Sequence, residues 1–128
     1  MVLPKAMRLK GHRCFDHLYK DGTRYHQPSV LLRVVKADYT LHKTKSGQNV
    51  QKSCRCAIAI SSKVNKKAVI RNRLRRLIHE YLREKLYEDS ANANKWVLFS
   101  LKPQSSNIDP SELIQECDRL LRKAGLVL

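Results

Sequence analysis

The side chains best suited to chemistry in this chain are cations clustered in one stretch, residues 61–83. Between Lys63 and Arg76 this stretch has seven basic residues and no acidic one. They are Lys63, Lys66, Lys67, Arg71, Arg73, Arg75 and Arg76. A solvated helix face normally mixes charges of both signs, because like charges one turn apart repel each other. The single sign therefore predicts a surface that binds a polyanion, and we interpret it as a nucleic-acid contact.

Helical periodicity positions these cations. Apolar side chains recur on one stripe at a helical spacing of about 100° per residue, which predicts an amphipathic helix docked on a core. The stripe consists of Ile70, Leu74, Leu77, Ile78 and Tyr81, and the opposite half carries Asn72, Arg75, Arg76, His79 and Arg83. Arg71 and Arg73 flank the stripe on its two sides. We expect the helix to run to about Tyr87, with its cationic function in the first half because glutamates enter the second.

A turn over residues 63–67 precedes this helix. Asn65 is a residue type that tolerates the left-handed conformation often required in such turns. The amides at the start of the following helix have no helical partner and favour an anion. Lys66 and Lys67 are therefore predicted to share in binding phosphates.

Composition supports the same partner. The chain has 128 residues, which suits a single domain, a formal charge of +15 and a pI near 10.1. Neutralising phosphates with so many cations releases counterions and favours binding to nucleic acid. No apolar run approaches the roughly 20 residues that span a bilayer, and the first ten residues lack the apolar centre of a signal peptide. We predict a cytoplasmic protein that does not bind a membrane and has no small-molecule substrate.

Metal chemistry by the protein itself has little support in the sequence. Cys14, Cys54, Cys56 and Cys117 have no disulfide-framework spacing and are expected to be reduced. Cys54 and Cys56 are separated by one residue, whereas structural zinc sites usually place two or more between paired cysteines. We predict no metal site and no catalytic side chain, since the acids are scattered and the histidines form no recognisable pair.

The remaining elements alternate between helix and strand patterns. We predict a loosely held arm over residues 1–7, a short helix over 11–21 ended by Gly22, and a strand over 25–37. A basic, mobile loop over 40–53 follows, then a strand over 55–61 with its large side chains on one face and its small ones on the other. A linker over 89–94 leads to a central strand over 95–101, since both of its sides are apolar. Lys102 and Pro103 end that strand, and Asp109 and Pro110 begin a last helix that Gly125 closes.

Two aromatic residues in the first helix have alternative interpretations. Phe15 and Tyr19 recur at helical spacing, so they are core residues if that face is covered. If it is open, they line a groove and offer ring faces to unpaired bases, at about 1 to 3 kcal/mol for each stack. The sequence leaves both readings open, for Phe15 above all.

The order of elements and one motif resemble the protein subunit family of bacterial ribonuclease P. The motif is AVIRNRLRRLI, residues 68–78, which contains Arg71, Asn72 and Arg73. Smaller matches extend over nearly the whole chain: Arg8 and Leu9, then Phe15, Leu18, Tyr19 and Gly22, then Ser61 to Lys63, and finally Lys102 and Pro103. The central signature, with its preceding serine and lysine and its following arginine pair, is highly specific.

The resemblance implies both a fold and a function. The fold is α+β, a two-layer α/β sandwich of order αβββαβα like ribosomal protein S5 domain 2, with a left-handed βαβ crossover. The function is that of a protein cofactor of a catalytic RNA, which with bound Mg²⁺ hydrolyses the bond joining the 5′ leader to tRNA. The implied partners are ribonuclease P RNA and precursor tRNA. By position, Arg71, Asn72, Arg73, Arg75, Arg76, Lys66 and Lys67 contact the RNA subunit, and Phe15, Tyr19, Arg33 and Lys63 form the leader cleft.

The chain differs from the family pattern at three positions. Asn65 stands where glycine is usual, in a turn one residue longer; Arg33 replaces a tyrosine common on the cleft strand; and His79 replaces a basic residue. Two rival functions follow from the residues alone. One is a ribosomal or general RNA-binding protein, and the other is an autonomous nuclease that would depend on its own carboxylates.

Overall fold

The computed structural model describes residues 7–9, 12–36, 54–86 and 95–126. The elements are α1 (His12–Asp21), β1 (Thr23–His26), β2 (Val30–Lys36), β3 (Arg55–Ala59), α2 (Ala68–Leu86), β4 (Lys95–Leu101) and α3 (Pro110–Lys123). A short 3₁₀ helix, Pro103–Asn107, separates β4 from α3. The order αβββαβα confirms the predicted α+β fold. The loop over 40–53 and the linker over 89–94 lie outside the described residues.

The four strands form one sheet in the order β1-β2-β4-β3. The pairs β1 with β2 and β2 with β4 are antiparallel, whereas β3 and β4 are parallel and are joined through α2. The central position of β4 was predicted from its two apolar sides and is confirmed. The hand of the β3-α2-β4 connection stays a prediction.

The strand predicted over residues 25–37 is wrong as a single element. The chain reverses at 27–29, where the Gln27 amide donates to the Val30 carbonyl at 2.9 Å. Pro28 lies in this turn, as expected for a residue that has no amide to donate to a sheet. Residues on either side form β1 and β2, with Arg24 opposite Arg33 and Tyr25 opposite Leu32.

Alternate residues of the strands serve two hydrophobic clusters on opposite faces of the sheet. One face packs Val30, Leu32, Val97 and Phe99 against α2 and α3. The other packs Trp96, Leu98 and the partly buried Ala57 and Ala59 against Cys14 and Leu18 of α1. The predicted division of β3 is confirmed, since Cys56, Ile58 and Ile60 join the first cluster. The sheet and the pair α2 and α3 form the two predicted layers. Helix α1 adds a partial layer on the other face of the sheet.

The apolar stripe of α2 docks the helix as predicted. Leu74, Ile78 and Tyr81 are buried, and Ile70 and Leu77 pack on the same cluster while partly exposed. Leu82 and Leu86 extend the buried stripe beyond the predicted set. One side of the cationic helix is therefore committed to the core.

A polar contact joins α2 to α3. The Tyr81 hydroxyl donates to Asp118 Oδ1 at 2.5 Å, and Arg122 Nε donates to Asp118 Oδ2 at 2.6 Å. The bond from Arg122, followed by that from Tyr81, lowers the pKa of the Asp118 carboxyl below its usual value. Burial and the adjacent carboxylate raise the pKa of the Tyr81 phenol. Both shifts favour a neutral phenol donating to a charged carboxylate.

The predicted arm over residues 1–7 is wrong for Met7, which is completely buried in the cluster beneath α2 and α3. The next residues run beside β3, because the Leu9 amide donates to the Cys56 carbonyl at 3.1 Å. Arg55 Nη1 also donates to the Arg8 carbonyl, at 2.9 Å. Residues 1–6 lie outside the described part of the chain.

The last helix begins and ends where the sequence predicts. Asp109 is the N-cap and Pro110 the first helical residue, although the Asp109 side chain makes no capping hydrogen bond. Gly125 follows the helix with a φ of 77°, a conformation that favours glycine. Within α3 the sequence did not indicate Glu116, a buried carboxylate that accepts the Ser29 amide at 2.8 Å and so anchors the β1–β2 turn.

All four cysteines are buried and have free thiols. Burial, followed by the negative charges of Glu116 and Asp118, raises the pKa of Cys117 to about 12. A side-chain hydrogen bond with Cys54, together with burial, raises the pKa of Cys56. In the described residues we find no helix both long and apolar enough to cross a bilayer.

Candidate nucleic-acid interface

The outer face of the first half of α2 presents its cations to solvent. Val69, Asn72, Arg73 and Arg76 share this face because they follow one another at helical spacing. They line a shallow pocket of about 280 Å³, and Val69 is 68% exposed. Among the described residues, neither Arg73 nor Arg76 makes a hydrogen bond or an ion pair. This face can therefore take phosphates without first breaking an internal ion pair.

Asn72 is oriented by its neighbour on the helix. Arg75 Nη1 donates to Asn72 Oδ1 at 2.8 Å. The amide oxygen is thus occupied, and the amide NH₂ of Asn72 remains a donor for an acceptor in solution. The pair thus presents N–H donors from both side chains, which suits an RNA backbone.

Arg71 has a different environment from the other predicted contacts. It is partly buried, and its Nη1 donates to the main-chain carbonyls of Asn65 at 2.8 Å and Lys66 at 3.1 Å. The structure therefore uses Arg71 to hold the preceding turn. Its contact with an RNA stays a prediction.

The turn over 63–67 is also fixed by local hydrogen bonds. Asn65 Oδ1 accepts from the Lys67 amide at 2.9 Å, and Val64, which is buried, donates its amide to the Ser61 carbonyl at 3.1 Å. The side-chain oxygen of Asn65 thus supplies a turn contact that glycine could not make. Lys63, Lys66 and Lys67 are exposed around this fixed backbone.

A second candidate surface lies between α1 and the sheet. Phe15 is partly buried against the α1 cluster, while Tyr19, one turn later, is 55% exposed. Phe15 therefore packs on the core and stays partly exposed, and its contact with unpaired bases stays a prediction. Gly22 ends α1: its amide donates to the Leu18 carbonyl at 2.9 Å, and a Cβ at this position would lie 2.2 Å from that carbonyl oxygen.

The structure brings two of the predicted cleft residues into contact. The Arg33 guanidinium carbon lies 4.5 Å from the centre of the Tyr19 ring, a cation–π distance. Arg33 Nη1 also reaches Ser100 Oγ on β4 at 3.4 Å. Lys63 lies four residues beyond the end of β3 and is exposed there. No described contact joins Lys63 to Phe15 or Tyr19.

Sequence reasoning missed Arg24. It is exposed on β1 and directly opposite Arg33, so the two side chains emerge on the same face of the sheet. Like charges in this position repel each other, and an anion between them would relieve the repulsion. Residues 23–26 carry little sequence signal, because this edge strand is short and only Tyr25 in it is partly buried.

The described residues do not form a magnesium site. Mg²⁺ is held in proteins mainly by carboxylate oxygens. In the described ranges no three His, Cys, Asp or Glu side chains converge in a way that could hold a metal ion.

Comparison with known proteins places this geometry in a family. The family model described as Ribonuclease P matches residues 3–125. The chain belongs to the ribonuclease P protein family. The ribonuclease P protein component of Prochlorococcus marinus strain MIT 9313 is 54% identical over 127 residues, covering 99% of each chain. That of Synechococcus sp. strain CC9902 is 48% identical over 126 residues, covering 98% of each.

Solved structures of the family share the fold. The RNase P protein from Staphylococcus aureus superposes with a TM-score of 0.75 at 18% identity, covering 97% of this chain and 100% of that one. The protein from Thermotoga maritima gives a TM-score of 0.68 at 19% identity, covering 91% and 96%. Membership of the family makes the chain a component of an endoribonuclease complex that works with RNA in tRNA processing.

Proposed function

We propose that this protein binds ribonuclease P RNA through the outer face of α2 and the 5′ leader of precursor tRNA in the cleft between α1 and the sheet. The observation that carries the proposal is the separation of two cationic surfaces. One surrounds Asn72, Arg73 and Arg76 on α2, and the other surrounds Arg24 and Arg33 on the sheet. Two surfaces allow one small protein to hold two RNA segments together.

The outer face of α2 suits a large folded RNA. Arg73 and Arg76 on this face have no partner within the described chain, the helix has no acidic residue in its first turn, and Lys66 and Lys67 extend the surface at the N-terminus. Phosphate binding here would gain from counterion release and from the positive end of the helix dipole.

The cleft suits a single strand rather than a duplex. It combines the half-exposed ring of Tyr19 and the partly buried ring of Phe15 with cations that emerge from the sheet. Rings stack on unpaired bases and cations follow the backbone, which is the usual arrangement for binding single strands. The leader of precursor tRNA is the single-stranded segment that this family's reaction supplies.

We assign the cleavage chemistry and the Mg²⁺ to the RNA subunit. The bound metal would supply an activated water and would stabilise the departing oxygen. The acids near the core already have structural partners: Glu116 accepts the Ser29 amide, and Asp118 accepts Tyr81 and Arg122. The protein contributes affinity and positioning, because its cations reduce the repulsion between two RNAs.

The decisive experiment is reconstitution with a bacterial ribonuclease P RNA at low magnesium. Cleavage of precursor tRNA is measured with both subunits, with RNA alone and with protein alone. We expect cleavage at the correct bond to be faster with both subunits than with RNA alone, and absent with protein alone. Correct cleavage by protein alone would support the autonomous nuclease instead.

A second measurement separates leader binding from general RNA binding. The affinities of the reconstituted enzyme for precursor and mature tRNA are compared. We expect tighter binding of the precursor, since only the precursor has a leader to occupy the cleft. Equal affinities would favour the general RNA-binding protein.

A further inference from the structure

Arg33 is fixed within the cleft from two sides. On the α1 side, the Tyr19 ring centre lies 4.5 Å from its guanidinium carbon. On the sheet side, Ser100 Oγ of β4 accepts a hydrogen bond from its Nη1 at 3.4 Å. An arginine held at both the ring and the sheet loses less conformational entropy when it binds a ligand than a freely solvated arginine does.

Most of the donors of Arg33 are nevertheless unused. The contact with Ser100 is its only hydrogen bond among the described residues, and no described carboxylate forms an ion pair with it. A guanidinium offers a planar fork of N–H groups and no acceptor. The partner that fits must present two acceptors side by side.

The neighbours of Arg33 favour a base over a phosphate as that partner. Strand pairing places the buried Leu98 on one side and the exposed Arg24 on the other. Arg24 is thus the cation nearer to solvent, and the charged, hydrated backbone of a bound strand would be better placed beside it. Arg33 is half-buried beside an aromatic ring, an environment that suits the apolar faces of a base better than a phosphate.

We propose that Arg33 reads one base of the leader and selects guanine. Guanine carries two adjacent acceptors, O6 and N7, that match the guanidinium fork. Adenine offers N7 beside the N6 amino group, which is a donor and would face the donors of Arg33. The inference rests on the proposed function, since it assigns a base preference to the same cleft.

The test uses the enzyme reconstituted with a bacterial ribonuclease P RNA. Each leader position is replaced in turn by each of the four bases, and the affinity for every precursor tRNA is measured. At one position we expect guanine to bind about tenfold more tightly than adenine, the size of a good arginine–guanine contact. Replacing that guanine by 7-deazaguanine, which lacks the N7 acceptor, should remove most of the advantage.

A matched pair of variants identifies the residue responsible. Arg33→Lys and Arg24→Lys both keep the charge and lose the planar fork. We expect Arg33→Lys to abolish the guanine preference and Arg24→Lys to retain it. A preference that survives Arg33→Lys overturns the proposal.

The same data separate this proposal from the one on which it rests. If precursor still binds more tightly than mature tRNA but no leader position prefers guanine, base selection by Arg33 is wrong and the leader cleft stands. If precursor and mature tRNA bind equally, leader binding fails, and base selection fails with it.

Discussion

Arg71 Nη1 donates a 2.8 Å hydrogen bond to the main-chain carbonyl of Asn65, across the start of α2. The bond ties the first turn of the cationic helix to the turn that carries Lys63, Lys66 and Lys67. Lys66, Lys67 and the outer face of α2, which we assign to the same RNA, are thus held in one corner of the backbone. Arg71 acts in this corner as a structural residue, whereas Arg73, two positions on, faces solvent.

Substituting Arg71 by Ala should therefore destabilise the protein. Loss of its two backbone contacts is expected to lower the free energy of unfolding by about 1 to 2 kcal/mol. Urea denaturation followed by circular dichroism measures the change. Arg73→Ala is the matched control, because the same truncation there removes no described contact; equal destabilisation by both would contradict the role of Arg71.

Arg73→Ala should instead weaken RNA binding. The slope of log affinity against log salt for ribonuclease P RNA should become shallower by about 0.7 to 0.9, the loss of one phosphate contact. Filter binding or fluorescence titration over a range of salt concentrations gives this slope. Lys123→Ala, an exposed cation on α3, should leave it unchanged; an unaltered slope in Arg73→Ala would exclude Arg73 from the interface.

Alanine substitutions of Phe15 and Tyr19 should separate an effect on stability from an effect on leader binding. Phe15→Ala removes a partly buried ring and should cost about 2 kcal/mol, below the roughly 3 to 5 kcal/mol of a fully buried Phe. Tyr19→Ala loses mainly the contact with Arg33 and should cost about 0.5 kcal/mol. Both should reduce the preference for precursor over mature tRNA. Thermal melts run beside the binding assay check the two effects, and a Tyr19→Ala protein with full leader preference would remove Tyr19 from the cleft.

Acid should weaken the link between α2 and α3. Because the folded-state pKa of Asp118 is lowered, its stabilising contribution is present above the unfolded pKa of about 3.9 and is lost as pH falls through the folded value. The stability difference between wild type and Asp118→Asn should be about 1 kcal/mol near pH 6. It should shrink towards zero near pH 2. Urea denaturation across this range tests the sign, and a difference that grows in acid would contradict it.

The cysteines should be unreactive in the folded protein. All four are buried, and the Cys117 thiol, with a pKa of about 12, has almost no thiolate at neutral pH. We expect a thiol reagent such as dithionitrobenzoate to label none of them at pH 8 without denaturant and all four in guanidinium chloride. Rapid labelling of one thiol in the native protein would show that its element opens locally.

Much of the fold followed from patterns that are local in the chain. The stripe from Ile70 to Tyr81, the two apolar sides of β4, and the large and small sides of β3 each determine which surfaces are buried, because side-chain direction repeats with a fixed period in helices and strands. The hairpin of β1 and β2 was merged into one strand, since β1 is short and its partner is set by pairing. Met7 was misassigned to the arm because residues 7–9, which run beside β3, are too few to show a hydrophobic period.

The sequence alone determined that a cationic helix must lie on an apolar core, since charge and hydrophobic period are properties of successive residues. Only the tertiary structure decided what each cation touches. It turned Arg71 inward to carbonyls five and six residues earlier, placed Arg24 opposite Arg33, and set Arg33 against Tyr19 and Ser100. These contacts join residues that are distant in the chain or depend on a particular rotamer, and both are fixed only when the elements pack together.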